Sequence, residues 1–257
     1  MNLLDKTFAD KRNNLLNIYC TAGFPKMEST AEVMLALQSG GADMIELGMP
    51  YSDPIADGPV IQESNMQALA NGMTIGRLFT QLDEVKDQVH IPVILMGYLN
   101  PVLQFGMEKF CAAAAAAGVS GVIIPDLPMY EFEHIYKPMF EKHGVHFIFL
   151  VTPETGGKRI LKADALSRGF LYAVSSASTT GSNAGLESQV GYFKKLAGMS
   201  LANPILIGFG IKDAQSYQLA AAHAAGGIVG SAYINAIRAS ANITEDTAAF
   251  IRMIRGK

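Results

Sequence analysis

The feature that most constrains this chain is a strict alternation of two hydrophobic periods. Short, almost continuous apolar runs cover residues 15–21, 43–48, 93–98, 121–126, 146–152, 170–175, 205–210 and 227–231. Few of them alternate apolar with polar, which is the pattern of strands buried on both faces. Between them lie helical patterns at 30–37, 75–89, 110–117, 130–143, 158–166, 186–196, 214–225 and 244–254. In the second of these, Leu78, Leu82, Val85 and Val89 form an i, i+4, i+7, i+11 stripe. The third is nearly all alanine, a strong helix former, and Gly118 follows as a stop. A short helix over 3–11 precedes the first strand.

Eight strand–helix units imply a parallel sheet with right-handed crossovers. A closed barrel and a doubly wound open sheet both satisfy those rules. Eight units in 257 residues favour the barrel. The expected fold is therefore α/β, a single (β/α)8 TIM barrel with a short N-terminal helix, occupying residues 1–257 as one domain. Similar corners lead into several strands, at Gly40-Gly41-Ala42-Asp43, Ala117-Gly118-Val119-Ser120-Gly121 and Ala225-Gly226-Gly227. They read as an architectural repeat, not a solenoid.

Composition narrows the function classes. Apolar residues make up 49% of the chain and charged residues 17%, which suits a large core. A net charge of -3 gives no electrostatic footprint for nucleic acid or anionic lipid. No apolar stretch reaches the roughly 18 residues of a membrane span. The first dozen residues fit neither a signal nor a transit peptide. Cys20 and Cys111 read as buried, reduced thiols. Together these point to a cytoplasmic protein.

Barrel active sites lie at the C-terminal ends of the strands. In the second strand, Ile45 and Leu47 suit the helix layer, which turns Glu46 inward. A carboxyl there loses hydration, which raises its pKa and suits acid/base work. The alternative is a structural glutamate paired with a buried cation, and no basic residue is seen at another strand end. Next comes a long loop, Met49-Pro50-Tyr51-Ser52-Asp53-Pro54-Ile55-Ala56-Asp57-Gly58-Pro59. Its prolines hold it in shape. Either it carries Asp57 over the barrel mouth, or Asp53 and Asp57 serve only as turn and cap residues. Gly208-Phe209-Gly210 and Gly230-Ser231 end the last two strands and could cradle a phosphate through backbone N–H groups, with Thr180-Gly181 adding donors. Equally, these glycines could serve tight turns.

What is missing narrows the chemistry further. The five histidines form no ligand cluster with Glu or Asp at the strand ends, so no metal is expected. No lysine is seen at the end of an inward-facing strand, which disfavours a Schiff base. Neither a G-x-S-x-G elbow nor a G-x-G-x-x-G fingerprint occurs.

The run from Glu46 through Pro59 to Val60-Ile61-Gln62 closely resembles the signature of the tryptophan synthase α-subunit family. So do Thr21-Ala22-Gly23-Phe24-Pro25, Gly97-Tyr98-Leu99-Asn100-Pro101, Pro125-Asp126-Leu127-Pro128, Gly208-Phe209-Gly210-Ile211 and Val229-Gly230-Ser231-Ala232. The resemblance implies a lyase that splits indole-3-glycerol phosphate into indole and glyceraldehyde 3-phosphate, a step in tryptophan biosynthesis. It implies Glu46 as the acid/base and Asp57 as the group holding the indole N–H. It implies phosphate contacts at Thr180, Gly181, Gly210, Gly230 and Ser231, and an indole pocket of Tyr19, Tyr98, Ile123, Leu150, Tyr172 and Phe209.

It also implies a β-subunit partner in an α2β2 complex, with pyridoxal phosphate in that partner and no cofactor in this chain. Residues 51–56 and 100–105 would meet the partner. Two departures stand out. The family's Ser-Arg-x-Gly-Val-Thr-Gly after the sixth strand reads Ser175-Ser176-Ala177-Ser178-Thr179-Thr180-Gly181, and its Ala-Asp-Gly before the last strand reads Ala225-Gly226-Gly227. Three further readings share these residues: a free-standing lyase, a barrel that only activates a β partner, and an unrelated phosphate-binding isomerase. The loop at 50–59 speaks against the last.

Overall fold

The computed structural model describes residues 1–175 and 186–257. Its strands are β1 (Leu15–Thr21), β2 (Met44–Gly48), β3 (Val93–Met96), β4 (Gly121–Ile123), β5 (His146–Phe147), β6 (Leu150–Val151), β7 (Leu171–Val174), β8 (Ile205–Gly208) and β9 (Gly226–Val229). All pair in parallel, in the order β5-β4-β3-β2-β1-β9-β8-β7-β6. β5 and β6 are successive pieces of one apolar run, the first paired with β4 and the second with β7. Backbone bonds continue across the break, from Ile148 N–H to Val122 O and from Tyr172 N–H to Phe149 O, each 3.0 Å. The ladder thus closes into an eight-stranded barrel whose fifth strand is interrupted. The interruption has a local cause: Phe149 N–H donates to the Ser167 hydroxyl at 3.0 Å instead of to a neighbouring strand.

The helices are α1 (Leu3–Asp10), α2 (Ser29–Gly40), α3 (Pro59–Ala70), α4 (Ile75–Val85), α5 (Leu99–Phe105), α6 (Met107–Ala116), α7 (Met129–Glu131), α8 (Lys137–His143), α9 (Gly157–Leu166), α10 (Val190–Ala197), α11 (Ala214–His223), α12 (Ser231–Ile237) and α13 (Ile243–Arg255). Among the described residues, no helix is long and apolar enough to cross a membrane. The helix expected over 130–143 is broken by a π-helical turn, Phe132–Tyr136. Pro138 explains it: the ring has no N–H for the carbonyl of His134 and crowds it, so the turn widens.

α3 and α5 carry no strong stripe in the sequence. α3 buries Ile61 and Ala68 but also Ser64 and Asn65, so its inner face reads as polar. Several strands end earlier than their apolar runs. At the mouth the backbone leaves the ladder, as at Phe209 and Gly210, both of which have positive φ.

The N-terminal end of the barrel is closed by α1. Leu4 is fully buried and packs against Gly121 at the start of β4 and Gly169 before β7. Asn2 caps the helix and donates to Ser120 O at 2.8 Å, while His146 meets Asp5 at 2.9 Å. At the same end, Asp43 accepts from Lys11 (2.6 Å), Leu16 N–H (2.8 Å) and Arg255 (2.8 Å), which links α1, β1, β2 and α13. A Cβ on Gly226 would stand 1.9 Å from Leu15 O, so this corner admits only glycine.

Candidate active site

A cavity of about 460 Å³ opens at the C-terminal ends of the strands, within the range usual for small-molecule sites. Of the residues singled out in the sequence, Tyr19, Glu46, Asp57, Tyr172, Phe209, Gly210, Gly230 and Ser231 border it. Thr180 and Gly181 lie outside the described residues.

Glu46 reaches the cavity from the middle of β2, between Tyr19 on β1 and Ile94 on β3 in register. It is 1% exposed. Its carboxylate accepts one hydrogen bond, from Asn17 Nδ2 at 3.1 Å. No cation pairs with it among the described residues. Burial dominates and pushes the carboxyl up to about 8; the Asn17 bond opposes this, and the charge of Asp57 adds to it. Asn17 is itself fully buried, and its Oδ1 has no hydrogen-bond partner among the described residues. Sequence reading missed Asn17, although it lies two residues before Tyr19 and so faces the same way.

Asp57 comes from the β2–α3 loop. Burial raises its pKa, and hydrogen bonds from Tyr98 and Asn65 pull it back. Asn65, on the polar face of α3, donates to Asp57 Oδ2 at 3.5 Å, and Gln62 donates to the Asp57 carbonyl at 2.8 Å. The unpromising pattern of α3 thus has a local purpose, because Asn65 holds the loop carboxylate and Gln62 the loop backbone.

Tyr98 packs against this loop and is not among the residues that border the cavity. Its hydroxyl accepts Ala56 N–H at 3.0 Å, and its ring lies 5.3 Å from that of Tyr51. Ile123 is fully buried in β4 and Leu150 partly buried in β6; neither borders the cavity. The apolar surfaces come instead from Ile61, Met96, Ile211, Ile228 and Ala232 with Tyr19, Tyr172 and Phe209. Periodicity could not single these out, since an apolar residue lining a slot and one filling the core look alike.

Two strand-end glycines make room for the tyrosines. A Cβ on Gly48 would lie 2.2 Å from the Tyr19 hydroxyl, and one on Gly208 would lie 2.2 Å from that of Tyr172. Tyr172 and Phe209 then meet edge to face, 6.2 Å apart. Phe209 holds φ +70, a costly conformation for a bulky residue. Its carbonyl accepts the Ser175 hydroxyl at 3.0 Å, which helps fix the turn that presents Gly210.

The cavity has a polar side opposite in kind to the carboxylates. Gly210 and Ile211 border it from the β8–α11 loop, and Gly230, Ser231 and Ala232 from the start of α12. The first amides of a helix have no carbonyl a turn earlier to bond. Lys212 and Asn235 complete this rim. Lys212 went unrecognised in the sequence because it stands four residues beyond the end of β8, past the strand end itself. Among the described residues, no three His, Cys, Asp or Glu side chains gather as a metal site.

Two acidic groups of raised pKa, an apolar slot and a rim of backbone amides suit proton transfer on an aromatic substrate bearing an anionic tail. The known proteins that this chain resembles agree with such a site. The profile of the family described as "Tryptophan synthase alpha chain" matches residues 4–255. The tryptophan synthase alpha chain of Parabacteroides distasonis is 46% identical over 246 residues, covering 95% of this chain and 96% of the relative. The crystal structure of tryptophan synthase alpha chain from Legionella pneumophila subsp. pneumophila superposes with a TM-score of 0.87 at 35% identity, over 100% of this chain and 97% of that one. A chain of the tryptophan synthase complex from Pyrococcus furiosus gives 0.83 at 31%, over 96% and 100%. The chain belongs to the tryptophan synthase alpha chain family.

Proposed function

We propose that this chain, acting as one domain over residues 1–257, is a carbon–carbon lyase that cleaves indole-3-glycerol phosphate to indole and glyceraldehyde 3-phosphate in tryptophan biosynthesis. The observation that carries the reading is the pairing of Glu46 and Asp57 on one apolar cavity, with Glu46 holding its proton to about 8. At neutral pH Glu46 is then mostly protonated and able to give its proton to C3 of the indole ring. That step leaves positive charge on the ring nitrogen, which the Asp57 carboxylate stabilises. The ionised Glu46 next takes the proton of the adjacent glycerol hydroxyl. The C–C bond breaks as the hydroxyl oxygen forms the aldehyde carbonyl, and the bonding pair returns to the ring as neutral indole. The proton count balances: Glu46 ends as it began.

Tyr19, Tyr172 and Phe209 enclose the ring, and backbone amides of Gly210, Gly230 and Ser231 hold the phosphate. Thr180 and Gly181 supply further donors in the same reading. Tyr98 acts at one remove, by fixing the Asp57 loop; Ile123 and Leu150 support the slot from behind. Binding the phosphate, which does not react, orients the part that does. Proton transfer and charge stabilisation are all the step requires, so the chain works without a metal or organic cofactor of its own.

The chain acts in the cytoplasm with a tryptophan synthase β subunit that carries pyridoxal phosphate, in an α2β2 complex. Ile55, 82% exposed, and Leu103, 46% exposed, lie on the two segments expected to meet that partner. Release of indole from indole-3-glycerol phosphate tests the lyase reading. Glu46→Gln lowers kcat by about 10²–10⁴ with the fold intact. A wild-type chain that releases no indole, alone or with a β subunit, rules the reading out. So does an unchanged rate in Glu46→Gln.

A further inference from the structure

We propose that Lys212 supplies the counter-charge for the substrate's phosphate, as a positioning residue outside the two-carboxylate machinery. This rests on the phosphate-ester reading above and extends it to a specific side chain. Three charged residues border the cavity among the described residues, Glu46, Asp57 and Lys212, and Lys212 is the one cation. The sequence of residues 176–185 contains no charged residue. A phosphate monoester carries a charge of about −1.5 to −2 at neutral pH. It would enter a cavity whose other two charged groups are carboxyls. Backbone amides offer partial charges; Lys212 offers a whole one.

The loop holds Lys212 in place from both sides. Ile211 is 4% exposed, and its Cδ1 lies 2.7 Å from where a Cβ on Gly227 would stand. On the other side, Lys212 N–H donates to the Ser216 hydroxyl at 3.0 Å. Asp213 caps α11, accepting from Ser216 N–H at 2.9 Å and from the Ser216 hydroxyl at 2.6 Å. The nearest acid in the sequence is thereby committed to the helix. The Lys212 side chain is exposed and makes no salt bridge or hydrogen bond among the described residues; its charge reaches Asp213 only as a minor through-space influence, behind the Ser216 hydrogen bonds. A fixed backbone carrying an ammonium with no ion-pair partner among the described residues, two residues past Gly210, is suited to a dianion at the rim. Asn235, on the α12 side of the same rim, is neutral and cannot serve in its place.

Calorimetric titration of glycerol 3-phosphate, and separately of indole, into the full-length chain tests this in wild type, K212M and K212R. A charge-assisted contact of this kind predicts about tenfold weaker glycerol 3-phosphate binding in K212M. Indole affinity stays unchanged, and K212R recovers most of the loss. In turnover, KM for indole-3-glycerol phosphate rises by a similar factor with kcat within about twofold, the mark of lost uniform binding. If K212M binds glycerol 3-phosphate as wild type does, while wild type cleaves substrate, Lys212 has no such role and the lyase reading stands. An equal loss of indole binding, with no rescue by arginine, also overturns the proposal by showing a structural role. A wild-type chain that neither binds glycerol 3-phosphate nor releases indole removes both readings together.

Discussion

Glu46 illustrates how much a single position can be altered by its surroundings. Its burial is nearly complete, and one asparagine is its only hydrogen-bond donor among the described residues, so the charged form is poorly solvated. An unfolded chain releases this proton near the usual carboxylate value of 4.5, whereas the folded chain keeps it to about 8. Between those values folding takes up a proton. The stability contributed by this group therefore falls as pH rises through the window and is level on either side. Glu46→Gln removes that slope. Its stability relative to wild type should rise by a few kcal/mol, to order of magnitude, between about pH 5 and about pH 9. Urea denaturation of both proteins at several pH values measures it, and parallel curves would contradict the assignment. Asp57 differs in kind. Its loop leaves it only partly buried, and donors on β3's outgoing loop and on α3 offset the cost of its charge.

At the scale of elements, the two ends of the barrel divide stability from chemistry. α1 plugs the N-terminal end, with Leu4 fully buried against the start of β4 and the entry to β7. Leu4→Ala removes that plug and should cost about 2–5 kcal/mol, the range for a buried leucine truncated to alanine. The groups proposed to react, Glu46 and Asp57, lie at the opposite end, so kcat should stay within about twofold of wild type at temperatures where the variant is folded. Chemical denaturation and indole release, measured on the same preparation, check both halves of that expectation. α3 works the other way: it spends part of its buried face on Ser64 and Asn65. The first meets Thr21 at 2.7 Å and the second supports Asp57, so packing is traded for position.

For the whole molecule, the barrel presents two exposed apolar side chains on neighbouring mouth segments, Ile55 and Leu103. A β partner seated there would cover them. Ile55→Asp places a charge in that contact and should weaken association by about tenfold or more, read by titrating a β subunit against indole release. Unchanged association would move the interface elsewhere. The order of the strands, most of the helices, the parallel sheet and the inward turn of Glu46 were legible in the chain, because they follow from local periodicity and alternation; α3 and α5, which carry no strong stripe, were not. The interrupted fifth strand was not, because it depends on Ser167 reaching Phe149 N–H from eighteen residues away. Nor were the contacts of Asn17 and Asn65 with the two carboxylates, the place of Lys212 on the cavity, or the hold of Tyr98 on the loop. Burial, the raised pKa and the sharing of one cavity are distances between segments remote in sequence. Closing the barrel sets those distances, and a pattern read along one segment contains none of them.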